Sequence, residues 1–255
     1  MTNLQAAFND PQTLVAFTVA GDPNIDKSIE YVVAMANAGA DVIELGIPFS
    51  DPIADGPVIQ KAGLRAFDAG IDTDKIFAMV SEIRQQTDVP LVFLSYLNKL
   101  FDYGYDAFFT ECENRGVSGV VIPDLSFEER GELEGAAQAH NVAIIPLVAP
   151  TSGHRIAKIV AGSTGFIYLV SSLGITGVRD DNQMSADLNQ LVTEIKKYTD
   201  APVAVGFGIH TEQQVTQMNQ IADGAIIGSG IVKLIEEDPE NATDKIVAYV
   251  KAIKA

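Results

Sequence analysis

The chain has 255 residues, 47% of them hydrophobic, and 17 Lys+Arg set against 34 Asp+Glu give a formal net charge of −17. That length suits one large domain or two small ones with a sizeable core, and the acidic balance argues against nonspecific binding to nucleic acid or an anionic membrane. No apolar run reaches the roughly 18 residues that would span a bilayer, the first residues lack a basic start followed by an apolar stretch, and the single cysteine, Cys112, allows no internal disulfide, so a cytoplasmic protein is expected.

Short β-branched runs alternate with helix-like segments. A strand is expected at 13–21, a helix at 26–39 that stops on Gly39, a strand at 41–47 and, after the turn-rich stretch 47–72, a helix at 72–87 opening on a capping Asp or Thr. Strands follow at 90–96, 117–124, 142–150, 165–172, 202–208 and 223–230. Helical patterns at 105–116, 127–140, 153–162, 186–199 and 211–220 separate them, and 241–255 closes the chain. Strand–helix alternation of this regularity implies a parallel sheet. Eight strands in about 250 residues favour a closed (β/α)₈ barrel, with an open doubly wound sheet as the alternative. The stretches 47–72 and 171–185 are the longest gaps, and both follow the carboxyl end of a strand, where barrels carry their sites and binding loops.

Glu44 stands inside an apolar run, "DVIELGI". Alternation places Ile43 and Leu45 on one face and Val42, Glu44 and Gly46 on the other, so Glu44 points into the barrel near its upper end. The competing reading is a structural carboxylate bonded to a neighbouring strand. Asp55, in "DPIADGP", reads by itself as turn chemistry, and Asp51 is expected to face outward. Glycines end the last two strands in "GFGI" (206–209) and "GSG" (228–230), and a short helix follows the second. Barrels often bind phosphate with these two loops and a helix N-terminus, because backbone N–H groups then approach the anion closely. Screening acts over about 8 Å at physiological salt, so net charge does not oppose such a site. "GITG" (174–177) offers further amides. Phe17, Tyr96, Tyr168 and Phe207 lie at strand ends, as core or as walls for a flat ring. His140, His154 and His210 are too dispersed for a local metal site, and Cys112 reads as packing.

The motif "ELGIPFSDPIADGP", with "AGDP" (20–23), "GITG", "VGFGI" and "GAIIGSGIVK", resembles the tryptophan synthase alpha chain family, in order from about residue 14 to 235. The resemblance implies an α/β fold, a single (β/α)₈ TIM barrel over 1–255 with an extra N-terminal helix and extra short helices in the loops. It implies retro-aldol cleavage of indole-3-glycerol phosphate to indole and glyceraldehyde 3-phosphate. It places the catalytic glutamate on Glu44, for protonation at indole C3 and the glycerol hydroxyl, and the catalytic aspartate on Asp55, at the indole nitrogen. It assigns Gly177, Gly206, Phe207, Gly208, Gly228 and Ser229 to the phosphate, and Phe17, Leu94, Tyr96 and Asp124 to the indole pocket and its edge. Tyr168 falls beside the glutamate, and Thr176 falls on a mobile loop that closes over substrate and contacts Asp55.

No metal or organic cofactor is implied in this chain. The implied partner is a pyridoxal-phosphate beta chain in an α₂β₂ complex, with the loop 48–56 at the docking surface. Ala16, Lys99 and Ser126 stand where the family often has proline. Two other functions remain: a sugar-phosphate isomerase or epimerase on a similar barrel, and a non-catalytic barrel that activates a partner.

Overall fold

The computed structural model describes residues 4–10, 12–171, 181–206, 208–209 and 211–254. Its strands are β1 (Thr13–Val19), β2 (Val42–Gly46), β3 (Leu91–Leu94), β4 (Val117–Val121), β5 (Ala143–Ile145), β6 (Leu147–Val148), β7 (Ile167–Val170), β8 (Val203–Gly206) and β9 (Gly224–Ile227). Every residue of β1 to β4, β8 and β9 is buried. That is why the strands read as unbroken apolar runs: a parallel sheet under helices is covered on both faces.

All neighbouring strands pair in parallel, in the order β5-β4-β3-β2-β1-β9-β8-β7-β6. The two ends of that order, β5 and β6, are consecutive in the chain with only Pro146 between them. They are the halves of one barrel strand, the first pairing with β4 and the second with β7. Proline has no N–H to donate to a ladder, yet its carbonyl still accepts the Tyr168 N–H at 3.0 Å. The ring therefore closes through the chain itself, and the expected eight-stranded (β/α)₈ barrel is the architecture found.

The helices are α1 (Ile25–Asn37), α2 (Pro57–Asp68), α3 (Thr73–Arg84), α4 (Leu97–Tyr103), α5 (Tyr105–Asn114), α6 (Gly131–Ala139), α7 (Ile156–Val160), α8 (Asp181–Ile195), α9 (Glu212–Asn219), α10 (Ser229–Glu237) and α11 (Thr243–Lys254). Side-chain caps set several starts. Asn24 accepts the Lys27 N–H at 3.0 Å, and Asp72 accepts the Lys75 N–H at 2.8 Å. Thr211 and Gln214 form a reciprocal capping box. Such a cap contributes about 1 kcal/mol and fixes where the helix begins.

Three stretches differ from expectation. The long gap 47–72 contains α2, whose fully buried side chains are only Ala62 and Ala66, and a Pro/Gly-rich loop runs directly into it. Between the expected strand at 90–96 and the expected helix at 105–116 lies a further helix, α4. Helix α8 opens at Asp181, inside the expected gap. The N-terminal helix is a 3-10 turn, Leu4–Asn9. Its Leu4 and Phe8 side chains lie against Gly165 and Gly224, at the amino ends of β7 and β9, and Phe8 packs 5.2 Å from the Phe166 ring. This segment packs across the bottom of the barrel, at the end opposite the site.

Candidate active site

In register, Glu44 of β2 lies between Phe17 of β1 and Val92 of β3. It is 1% exposed, and neither of its carboxylate oxygens has a hydrogen-bond partner among the described residues. A structural carboxylate bonded to a neighbouring strand has no such bond here. An unbonded charge in that position costs several kcal/mol, and the group responds by holding its proton. Burial, with the nearby Asp55 charge second, pushes the Glu44 carboxyl up to about 8.

The β2–α2 loop brings Asp55 back to the same place. Its carboxylate is hydrogen-bonded by Tyr96. The Tyr96 hydroxyl accepts the Ala54 N–H at 3.0 Å, and Gln60 of α2 donates to the Asp55 carbonyl at 2.8 Å. Burial pushes Asp55 up to about 6, and the Tyr96 hydrogen bond opposes that rise. Asp51 is exposed, as expected, and accepts the Ser50 hydroxyl at 2.6 Å.

Tyr168 completes this cluster. Its phenol is held well above the usual range, first by burial and then by the Glu44 and Asp55 charges. Burial first, then the Asp55 charge, raises Tyr96 as well. Phe49 stacks on Tyr96 with ring centroids 5.2 Å apart. A pocket opens beside Asp55, lined by Phe17, Gly46, Phe49, Asp55, Gln60 and Leu94 among others.

The strand-end glycines make room for these rings. A Cβ on Gly46 would lie 2.7 Å from the Phe17 ring, and one on Gly228 would lie 2.9 Å from it. A Cβ on Gly206 would lie 2.6 Å from Tyr168. Gly206 and Gly228 thus have a packing reason to be glycine, besides any approach to an anion. Gly208 has φ +87°, a backbone region open to glycine. Helix α10 starts at Ser229 on a Gly228 cap with no side-chain capping bond, which leaves first-turn N–H groups without that partner.

Asp124 accepts the Leu97 N–H at 2.9 Å and so holds the start of α4 beside Tyr96. Thr176, Gly177, Phe207 and His210 lie outside the described residues. His140 faces away into a surface cluster, 2.8 Å from Glu113 and 3.4 Å from Asp106. Cys112 is buried in α5. Ala16 is buried in β1, and Ser126 donates to Glu129 at 2.7 Å. Among the described residues, no group of three or more His, Cys, Asp or Glu is arranged to hold a metal ion.

Phe49 and Gln60 are among the pocket residues that escaped the sequence reading. Phe49 lies within the quoted motif but has no periodicity to mark it. Gln60 acquires its role only once α2 is known to be a helix.

A parallel barrel with its bottom covered, one buried acid near the carboxyl end of a strand and a half-buried one on the loop that follows has the arrangement of the (β/α)₈-barrel enzymes. Within that class the chain is more closely placed, because the family model of the tryptophan synthase alpha chain matches residues 4–255. The chain belongs to the tryptophan synthase alpha chain family.

The tryptophan synthase alpha chain of Lacticaseibacillus casei is 51% identical, covering 100% of this chain and 95% of that protein. That of Lactiplantibacillus plantarum is 50% identical, covering 92% and 89%. Among solved structures, the alpha subunit from Campylobacter jejuni superposes with a TM-score of 0.89 at 36% identity, covering 99% of each chain. A chain of the tryptophan synthase complex from Pyrococcus furiosus matches with a TM-score of 0.85 at 30% identity, covering 96% and 98%. The activity is that of a lyase in tryptophan biosynthesis, cleaving indole-3-glycerol phosphate to indole and glyceraldehyde 3-phosphate. Family membership implies a beta-chain partner. No helix among the described residues is long and apolar enough to cross a membrane.

Proposed function

We propose that Glu44 and Asp55 are the acid–base pair of this cleavage. One observation carries the reading: their surroundings separate them, with Glu44 pushed up to about 8 and Asp55 to about 6. Near pH 7 one carboxyl holds its proton while the other has given its proton up. Two carboxyls kept apart in this way supply an acid and a base at the same pH.

The proton balance follows. Protonated Glu44 delivers its proton to indole C3 while Asp55 takes the proton from the indole nitrogen, giving the neutral indolenine. The bond from C3 to the side chain then breaks, and its electrons restore the aromatic ring. Asp55 returns its proton to the nitrogen, and Glu44 accepts the proton of the C3′ hydroxyl as the aldehyde forms. Both carboxyls end in their starting states. Proton transfers account for every step, so this reading calls for no metal or organic cofactor in the chain.

Phe17, Leu94 and Tyr96 wall the indole ring, with Asp124 at its edge and Tyr168 beside Glu44. Gly206, Gly208, Gly228 and Ser229, with Phe207 and Gly177, take the phosphate through backbone amides and the start of α10. Thr176 belongs to the closing loop over Asp55. An indole-release assay on Glu44→Gln and Asp55→Asn tests the pair. Each variant is expected to lose turnover by at least about 100-fold while remaining folded, the scale of a positioned acid or base. Wild-type turnover in either variant removes that residue from the mechanism.

The same reading takes 1–255 as one barrel domain working in the cytoplasm, in an α₂β₂ complex with a pyridoxal-phosphate beta chain that receives indole through a tunnel. Ile53 of the β2–α2 loop is 81% exposed and Phe101 of α4 is 69% exposed. Both are large apolar groups at the mouth, which supports docking there. Docking at 48–56 orders Asp55, so the beta chain is expected to raise turnover strongly. Equal turnover with and without it removes this coupling.

A further inference from the structure

Asp22 follows β1, and its side chain is fully buried. Arg65, in the last turn of α2, grips it with both prongs of its guanidinium. Nε donates to Oδ1 at 2.7 Å and Nη2 donates to Oδ2 at 2.8 Å. Neither residue lines the pocket beside Asp55. A buried ion pair is a costly way to join two elements, since apolar side chains of similar volume often serve stability as well or better. What the fork adds is a fixed distance and plane.

Helix α2 needs that constraint. A helix usually seats on the core through a wide apolar stripe, but α2 fully buries only Ala62 and Ala66. Its larger apolar residues Leu64 and Phe67 are exposed. Two alanines, with Val58 and Ile59 of the first turn only partly buried against the core, make a narrow apolar seat for the C-terminal half of the helix. Its other ion pair, Lys61 to Glu236 of α10 at 2.9 Å, is on the surface, with Lys61 62% exposed. The first turn of α2 holds the loop: Pro57 comes two residues after Asp55, and Gln60 donates to the Asp55 carbonyl at 2.8 Å.

We propose that Asp22 and Arg65 are positioning residues for the reaction, fixing α2 against the end of β1 and through it the place of the Asp55 carboxylate. The inference rests on the catalytic role proposed for Asp55, which Asp55→Asn tests separately.

The test uses the full chain with its beta partner, measuring kcat and KM for indole release across pH 5–9, together with the thermal midpoint. Arg65→Lys keeps the charge but not the fork, and is expected to lower kcat about 5- to 10-fold with KM within about twofold. Arg65→Gln and Asp22→Asn are expected to lower kcat further and to move the acidic limb of the pH profile. Lys61→Met, which breaks only the surface pair, is expected to leave both unchanged. A pair that serves stability alone would lower the thermal midpoint while kcat and the acidic limb stay at wild-type values, and that result overturns the proposal. So does a loss of kcat in Lys61→Met equal to that in Arg65→Gln. If Asp22→Asn does not fold, Arg65→Lys decides, because Arg65 is a partly exposed surface residue whose charge is retained.

Discussion

Tyr96 and Asp55 meet through a hydrogen bond between β3's carboxyl end and the β2–α2 loop, and the Tyr96 oxygen is itself engaged by the Ala54 N–H at 3.0 Å. That amide occupies the hydroxyl oxygen and leaves its proton to Asp55. The tyrosine therefore favours the ionised carboxylate, against the burial that raises it.

Removing this hydroxyl should make Asp55 a weaker acid. A hydrogen bond to a charged group contributes about 1.5–3 kcal/mol, or about 1–2 pH units of the acid's titration. Tyr96→Phe is expected to move the acidic limb of kcat upward by that amount from about 6. A profile superimposable on the wild type removes Tyr96 from control of Asp55.

The pH dependence of kcat/KM should be bell-shaped. Turnover needs Asp55 ionised and Glu44 protonated, so it should rise through about 6 and fall through about 8. These limbs belong to the interacting pair as a whole. In Asp55→Glu, which keeps a carboxylate charge beside Glu44, any residual activity should keep the alkaline limb. Activity still rising at pH 9 would contradict Glu44 as the acid.

Glu44 should also weaken the fold as pH rises. Its carboxyl titrates near 4.5 when unfolded and at about 8 in the native chain. Between those values the native state binds the extra proton, so stability falls as pH rises through that window and levels off above it. Glu44→Gln removes the penalty. It should stabilise the protein by roughly 3 kcal/mol at pH 7 and by almost nothing below pH 4. Denaturant titrations at both pH values check this, and an equal effect at the two would exclude titration of Glu44 as the cause.

Gly46→Ala places a Cβ 2.7 Å from the Phe17 ring, which also touches Gly228 on its other side. Overpacking of this kind costs about 1–3 kcal/mol, and the displaced ring would enter the pocket. The variant is expected to raise KM and lower thermal stability. Phe17→Leu in the same chain should recover part of the stability. No recovery would mean that the strain lies elsewhere.

The strands were legible in the sequence because both faces of a parallel sheet are buried, which leaves long apolar runs between turn residues. Glu44 was conspicuous for the same reason, as a charge in a run that had no place for one. The motif from Glu44 to Pro57 carried both acids. Helix α2 was passed over because a Pro/Gly-rich loop runs directly into it, so that 47–72 reads as one long turn-rich gap. Helix α4 was missed because it has only two turns and buries only Leu100.

The order and spacing of residues determined the barrel and its carboxyl-end loops, and marked Glu44 as a charge inside an apolar strand. Only the tertiary structure decided that Glu44 has no hydrogen-bond partner, that Tyr96 holds Asp55, and that Asp22 and Arg65 join across 43 positions of chain. Periodicity reports which face of an element is buried. It does not report what a buried polar atom meets there, since that neighbour comes from another element, and in this site its presence or absence sets the protonation of each acid.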